Sequence, residues 1–337
     1  MKSIPIQDRT ALLRKMTVVI TGASSGIGRA TAHAFAERGA RVVLAARNYE
    51  ALQATRRECE QRGGSALVVP TDVTREDEVR ELAQRTTREF GHFDAWINNA
   101  AVTLFGRIEE VPMSDFARVI ETNVLGYAYG ARFAIRHFRE RGRGVLVNVS
   151  SAVGYKGQPY TSAYAASKFA IRGLGESLRM ELLDAKHIHV CTSIPGSIDT
   201  PLFEHAANHT GRAIKPLEPV YAPEQVAYDI VGLAQKPRRE LVTGATAQAL
   251  PFIDKLAPAL VGERAMARTV ERDHLDNRAA PPTDGNLFEA RRNGDGRVHG
   301  GWEHLQRGRL RRGGRVLLGF ALVGAAAAVV PLYRRFA

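Results

Sequence analysis

Between residue 16 and about residue 245, short runs of β-branched and apolar residues alternate with longer amphipathic stretches. The runs are TVVITG, RVVLAA, ALVVP, DAWIN, GVLVNVS, IHVCTSIP and ELVTG. Between them lie stretches such as Ile27 to Arg38, Tyr49 to Arg62, Arg75 to Phe90, Met113 to Glu140, Tyr164 to Asp184 and Pro223 to Gln235. The runs are apolar at successive positions, so both faces of each strand need cover. Such alternation predicts an α/β domain, a doubly wound parallel sheet with helices on both sides. Ligands bind these sheets outside the carboxyl ends of the strands, so function is to be sought just after each run.

The rest of the chain divides by composition. A 45% hydrophobic content over 337 residues is enough for a full core. We divide the sequence into a lead-in (1–14), a catalytic domain (15–248), a basic extension or connector (249–306) and a C-terminal segment (307–337). The formal charge is +12, and the stretch from Leu250 onward carries 15 Lys and Arg against 9 Asp and Glu. Within it, Pro251 to Asp276 has the pattern of one or two helices, whereas Asn277 to Trp302, rich in Pro, Gly, Asn and Arg, reads as an exposed connector. The uncharged run Val316 to Tyr333 is just long enough to span a bilayer, and the competing reading is a helix packed on the enzyme or its partner. Five arginines from Arg307 to Arg315 precede the run and two follow it, which would leave a tail-anchored catalytic domain in the cytoplasm. Two distant cysteines, Cys59 and Cys191, argue against a zinc site or disulfide framework and for a reduced compartment; the N-terminal MKSIPIQDRTALLRK has no signal-peptide core. Nucleic acid is a disfavoured partner, because the arginines lack interleaved aromatics.

The first run leads into TGASSGIG. A glycine-rich turn between the first strand and first helix lets backbone approach a pyrophosphate and aims the helix N-terminus at it. Gly22, Ser24, Ser25, Gly26, Ile27 and Gly28 are therefore expected to hold a dinucleotide. The second run ends in Ala46-Arg47 with no acid to bond ribose hydroxyls; Arg47, helped by Arg29, suits a 2′-phosphate, which favours NADP(H) over NAD(H). After the third run Asp72 is placed to meet the adenine amino group, followed by Val73. After the fourth, Asn99, Ala100 and Ala101 allow close approach to the ribose.

Tyr164 and Lys168 stand four apart at the head of a predicted helix and so on one face. A tyrosine working as acid or base near neutral pH needs a cation to stabilise its phenolate, and Lys168 can supply it. The fifth run ends in Ser150-Ser151, whose hydroxyl can polarise a carbonyl, and Asn123 lies in a predicted helix where asparagine is a poor former.

Together these residues resemble the short-chain dehydrogenase/reductase family over about residues 15 to 245. The resemblance rests on TGASSGIG, DVT, NNAA (where the family usually has NNAG), TNVLG, a serine thirteen residues before the tyrosine, YAASK and PGSIDT. It implies a Rossmann fold and a catalytic tetrad of Asn123, Ser151, Tyr164 and Lys168, with Ser151 and Tyr164 touching substrate. Tyr164 would exchange the proton on oxygen while hydride passes between nicotinamide and a carbonyl carbon. Lys168 would bond the nicotinamide ribose, Asn123 would hold a water, and Pro195, Gly196, Ile198 and Thr200 would line the nicotinamide. A homodimer or homotetramer is implied as well. The segment after PGSIDT is expected to act as a lid, with Leu202, Phe203, Tyr155 and Tyr160 forming an apolar wall for a lipophilic carbonyl or alcohol. The rival reading is a membrane-tethered NADPH-binding sensor or scaffold, against which the intact tetrad argues.

Overall fold

The computed structural model describes residues 13–14, 16–249, 259–290 and 296–307. All seven runs are strands of one parallel sheet: β1 (Thr17–Thr21), β2 (Arg41–Ala46), β3 (Ser65–Pro70), β4 (Ala95–Asn98), β5 (Gly144–Val149), β6 (Ile188–Pro195) and β7 (Glu240–Thr243). Their order is β7-β6-β5-β4-β1-β2-β3. The chain builds outward from β1 in one direction, returns, and builds in the other. The carboxyl ends of β1 and β4 therefore flank a crevice at the switch point.

Alternate residues of each strand feed opposite layers. Val18 and Ile20 of β1 pack with Phe35, Leu52 and Ile230, which lie on helices α1 (Gly26–Ala36), α2 (Tyr49–Gln61) and α7 (Pro223–Gln235). Val19 packs with Leu82, Phe138 and Trp96 on the other side, beneath α3 (Glu76–Phe90), α5 (Gly126–Arg141) and α6 (Ser162–Glu181), whose Leu178 packs on the same cluster. Burying each such side chain contributes about 1.5–3 kcal/mol, which is why the continuous apolar runs enforce two covered faces. Helix ends follow local chemistry. Glu76, Asp77 and Glu78 sit in the first turn of α3, where they complement the helix dipole, and Gly91, at φ +75°, ends it.

The stretch expected as one helix from Met113 to Glu140 is two, α4 (Met113–Ile120) and α5, joined by a π turn over Glu121–Leu125. The widened turn carries Asn123, which is fully buried. Its Oδ1 accepts from the Val102 N–H (2.9 Å), and its Nδ2 donates to the Val102 carbonyl (2.9 Å) and the Ser167 hydroxyl (3.0 Å). A side chain bonding both backbone groups of a distant residue compensates for the altered ladder.

Helix α8 (Ala259–Asp273) meets the expectation for Pro251 to Asp276. The stretch Asn277 to Trp302 is exposed over much of its described length, as expected, but it is not a free connector, because its described residues also dock as a strap on the domain. Leu275–Ala279 pairs antiparallel with Arg212–Ile214, and Thr283 bridges Asn208. Leu287 is fully buried among Val102, Leu104, Val119 and Ala207. Pro, Gly and Arg suppress regular structure, but they do not prevent docking through backbone groups and one apolar anchor. No helix among the described residues is long and apolar enough to cross a membrane; the run Val316 to Tyr333 lies outside them.

Candidate active site

One cavity of about 430 Å³ opens along the carboxyl edge of the sheet. Of the residues expected at the cofactor and substrate, all but Gly28, Arg29, Asn123, Tyr155 and Tyr160 line it. Gly28 shapes it from behind: a Cβ there would lie 2.2 Å from the Gly22 carbonyl oxygen, so only glycine lets α1 close on the turn. Gly22 itself has φ +66°. The turn is tied to β4 by Asn99, whose Nδ2 donates to the carbonyls of Thr21 (3.0 Å) and Gly22 (3.3 Å), while Thr21 Oγ1 accepts from the amides of Asn99 and Ala100. Asn99 thus holds the loop's backbone in shape.

At the end of β5 the two serines divide. Ser150 donates to the Lys168 carbonyl (2.9 Å), leaving Ser151 beside Tyr164. Burial pushes the Tyr164 phenol up to about 12, with the Ser151 hydrogen bond acting in the opposite direction. Burial alone pulls the Lys168 ammonium down to about 7. Lys168 Nζ lies 5.3 Å from the Tyr164 ring centroid and donates to the Val149 carbonyl (3.1 Å), which the Tyr127 hydroxyl also bonds (3.0 Å). The expected cation is therefore next to the expected phenol, and desolvation dominates both groups.

The adenosine end differs from expectation. Arg47 lines the cavity, but its guanidinium donates to three strap carbonyls, Asn286 (2.6 Å), Leu287 (3.1 Å) and Phe288 (3.1 Å). Burial lowers its basicity, opposed by the nearby Asp72 charge. Arg29 does not help at a phosphate, because it is buried and paired with Glu58 (2.6 Å). Asp72 Oδ1 accepts from the Thr74 amide and hydroxyl, and its Oδ2 accepts from Arg118 (3.0 Å). Sequence reasoning missed Arg118, which also donates to the Leu287 carbonyl (3.1 Å) and so joins β3, α4 and the strap.

Two more residues were not foreseen. Asp199 of PGSIDT is fully buried, and its Oδ1 accepts from the strap amides of Gly300 (3.0 Å) and Trp302 (2.9 Å). Beside it the Gly26 N–H, at the head of α1, donates to the Arg297 carbonyl (3.1 Å). His274, just past α8, lines the substrate end of the cavity with Leu202, Phe203, Leu217 and Met266. Tyr155 and Tyr160 are not part of that wall: Tyr155 bonds Glu240 (2.8 Å) and Tyr160 bonds Glu271, each hydroxyl turning to an outlying carboxylate. Leu202 and Phe203 stand where expected. Phe105 and His274 take the places given to the tyrosines.

A family model described as short chain dehydrogenase matches residues 16–210. The chain is 39% identical over 282 residues to an uncharacterized oxidoreductase, YxnA, of Bacillus subtilis, covering 82% of this chain and 79% of the relative. That share exceeds the first 248 of 337 residues, so the likeness runs into the extension. An alcohol dehydrogenase from Thermococcus sibiricus, solved with 5-hydroxy-NADP, is similar with a TM-score of 0.59 and 28% identity, covering 67% of this chain and 95% of that one. A short chain dehydrogenase/reductase from Burkholderia phymatum, solved with NAD, is similar with a TM-score of 0.66 and 26% identity, covering 71% and 92%.

Proposed function

The chain belongs to the short-chain dehydrogenase/reductase family of oxidoreductases, and on that premise we propose that it transfers hydride between NADP(H) and a ketone or secondary alcohol with an apolar body. The observation that carries the reading is the meeting of Ser151, Tyr164 and Lys168 at one wall of a cavity whose other end is the glycine turn. The nicotinamide would supply or accept the hydride. Tyr164, neutral because its phenol sits at about 12, donates the proton to the carbonyl oxygen, and Ser151 orients that oxygen. Lys168 places a positive charge beside the phenol, which favours the phenolate as the proton leaves. Asn123 acts from behind, fixing Val102 and Ser167 on either side of the site.

Preference for NADP(H) is supported by Arg47 just after β2 and by Arg118, which reaches from α4 to Asp72 just after β3. The Arg47 donors rest on neutral carbonyls, and a phosphate dianion makes the stronger, charge-assisted bonds. An apolar substrate is supported by Phe105, Leu202, Phe203, Leu217 and Met266 in the lining. The test is NADPH oxidation at 340 nm over small and bulky carbonyls, with NADH alongside and Tyr164→Phe as control. Turnover that prefers NADPH, favours bulky ketones and falls at least about 100-fold in the variant is expected. Equal turnover in Tyr164→Phe would remove the tetrad from the reaction.

A further inference from the structure

His274 belongs to the extension, beyond the residues matched by the family model, yet it forms part of the substrate end of the cavity. Its ring is held on three sides. Nδ1 bonds the Lys215 carbonyl, and the ring meets Phe105 edge-to-face (centroids 4.9 Å, 89°) and Phe203 (5.7 Å, 67°). A carbonyl only accepts, so Nδ1 must carry the hydrogen. Burial holds the imidazole neutral, its pKa drawn down to about 4. The tautomer is thereby fixed, and Nε2 is left as a bare acceptor. Among the described residues Nε2 has no hydrogen-bond partner, and although His274 is only 4% exposed, Nε2 is not among their sealed-off orphan atoms. His274 keeps some accessible surface and is one of the residues that line the cavity.

The lining around His274 includes Glu218 and Thr269 besides Phe105, Leu202, Phe203, Leu217 and Met266, and an unpartnered acceptor among these apolar side chains carries a binding penalty unless a donor meets it. We propose that His274 Nε2 accepts a hydrogen bond from a hydroxyl or N–H group of the substrate, remote from the reacting carbon. The preferred substrate is then a ketone or secondary alcohol with an apolar body and a second, distal donor. This assignment rests on the oxidoreductase reading above and adds the polar feature that distinguishes among apolar carbonyls.

The sign of one comparison tests it. In an apolar pocket without an acceptor, a hydroxyl that leaves water binds worse than a methyl of similar size; with Nε2 to receive it, the order reverses. The probes are ω-hydroxy-2-alkanones of five to ten carbons, each paired with the 2-alkanone in which methyl replaces the hydroxyl, assayed with NADPH and the full chain. At the chain length that reaches Nε2, the hydroxyketone is expected to have a kcat/KM about five- to tenfold above its partner, through KM. In His274→Phe, which keeps an aromatic wall, the ratio should invert. In His274→Gln, which keeps an acceptor, it should stay above one. The inference is overturned if no hydroxyketone exceeds its partner at any length in the wild type, a result that needs no variant, or if the preference survives His274→Phe. Absence of turnover on every ketone, methyl-terminated ones included, would instead overturn the oxidoreductase reading and this inference with it.

Discussion

Lys168 shows what a functional side chain costs a fold. It is 2% exposed, and burial alone lowers its pKa from 10.5 to about 7. In the cofactor-free protein the unfolded chain therefore binds more protons than the folded one between pH 7 and 10.5, so stability rises with pH across that window. The full cost, on the order of 5 kcal/mol, stands below pH 7. Lys168→Met keeps length and removes charge, and the Val149 carbonyl retains its bond from Tyr127. The expected outcome is a variant without turnover that melts above the wild type at pH 6, with the gap closing as pH is raised toward 10.5. A variant that melts lower at pH 6 would mean the ammonium has a stabilising partner. At this scale the sequence was informative wherever the partner is near in the chain. Tyr164 and Lys168 share a face because they are four apart, and Ser151 follows a strand. His274 and Asp199 were silent because their partners lie on other segments: Lys215 and Phe105 for one, Gly300 and Trp302 for the other. No spacing rule reaches that far.

Among the elements, the seven strands and most helices were legible because burial on two faces writes itself into composition. The break between α4 and α5 was not. A π turn uses the same residue types as an α-helix, and only Asn123, out of place in a helix, hinted at it. Its side chain substitutes for a piece of sheet, bonding both backbone groups of Val102, which is 3% exposed. Asn123→Ala leaves both unpaired. With each orphaned group costing about 1–3 kcal/mol, a loss of about 2–5 kcal/mol is expected in the denaturant midpoint at unchanged slope. A loss below about 0.5 kcal/mol would show that water replaces the amide.

Over the whole molecule, the strap is the largest departure from what composition suggests. Asn277 to Trp302 has the look of a linker, yet it places Leu287 in a core cluster and its carbonyls on Arg47 and Arg118. Leu287→Ala is expected to cost about 2–5 kcal/mol, confined to the strap. Amide exchange across 283–290 and 296–302 should quicken while that of β1 and β4 is unchanged, and apparent NADPH affinity should rise, because undocking frees the Arg47 donors from the carbonyls that a 2′-phosphate must otherwise displace. Faster exchange with unaltered affinity would detach the strap from cofactor binding. Both cysteine thiols are buried, and burial pushes them up to about 12 (Cys59) and about 11 (Cys191), which disfavours the reactive thiolate at neutral pH.

The bonds from Asp199 to Gly300 and Trp302 also set an order in time. A ribosome delivers the sheet, the glycine turn and the Tyr164 helix long before it delivers Gly300. Until then a carboxylate destined to be fully buried has no strap amides to receive, and the cluster around Val102 lacks its leucine. The nascent chain can therefore hold a folded sheet and an unfinished pocket at the same moment. Messages truncated between the last strand and residue 302 would yield proteins that resist denaturation at their centre while their reaction chamber stands open to water.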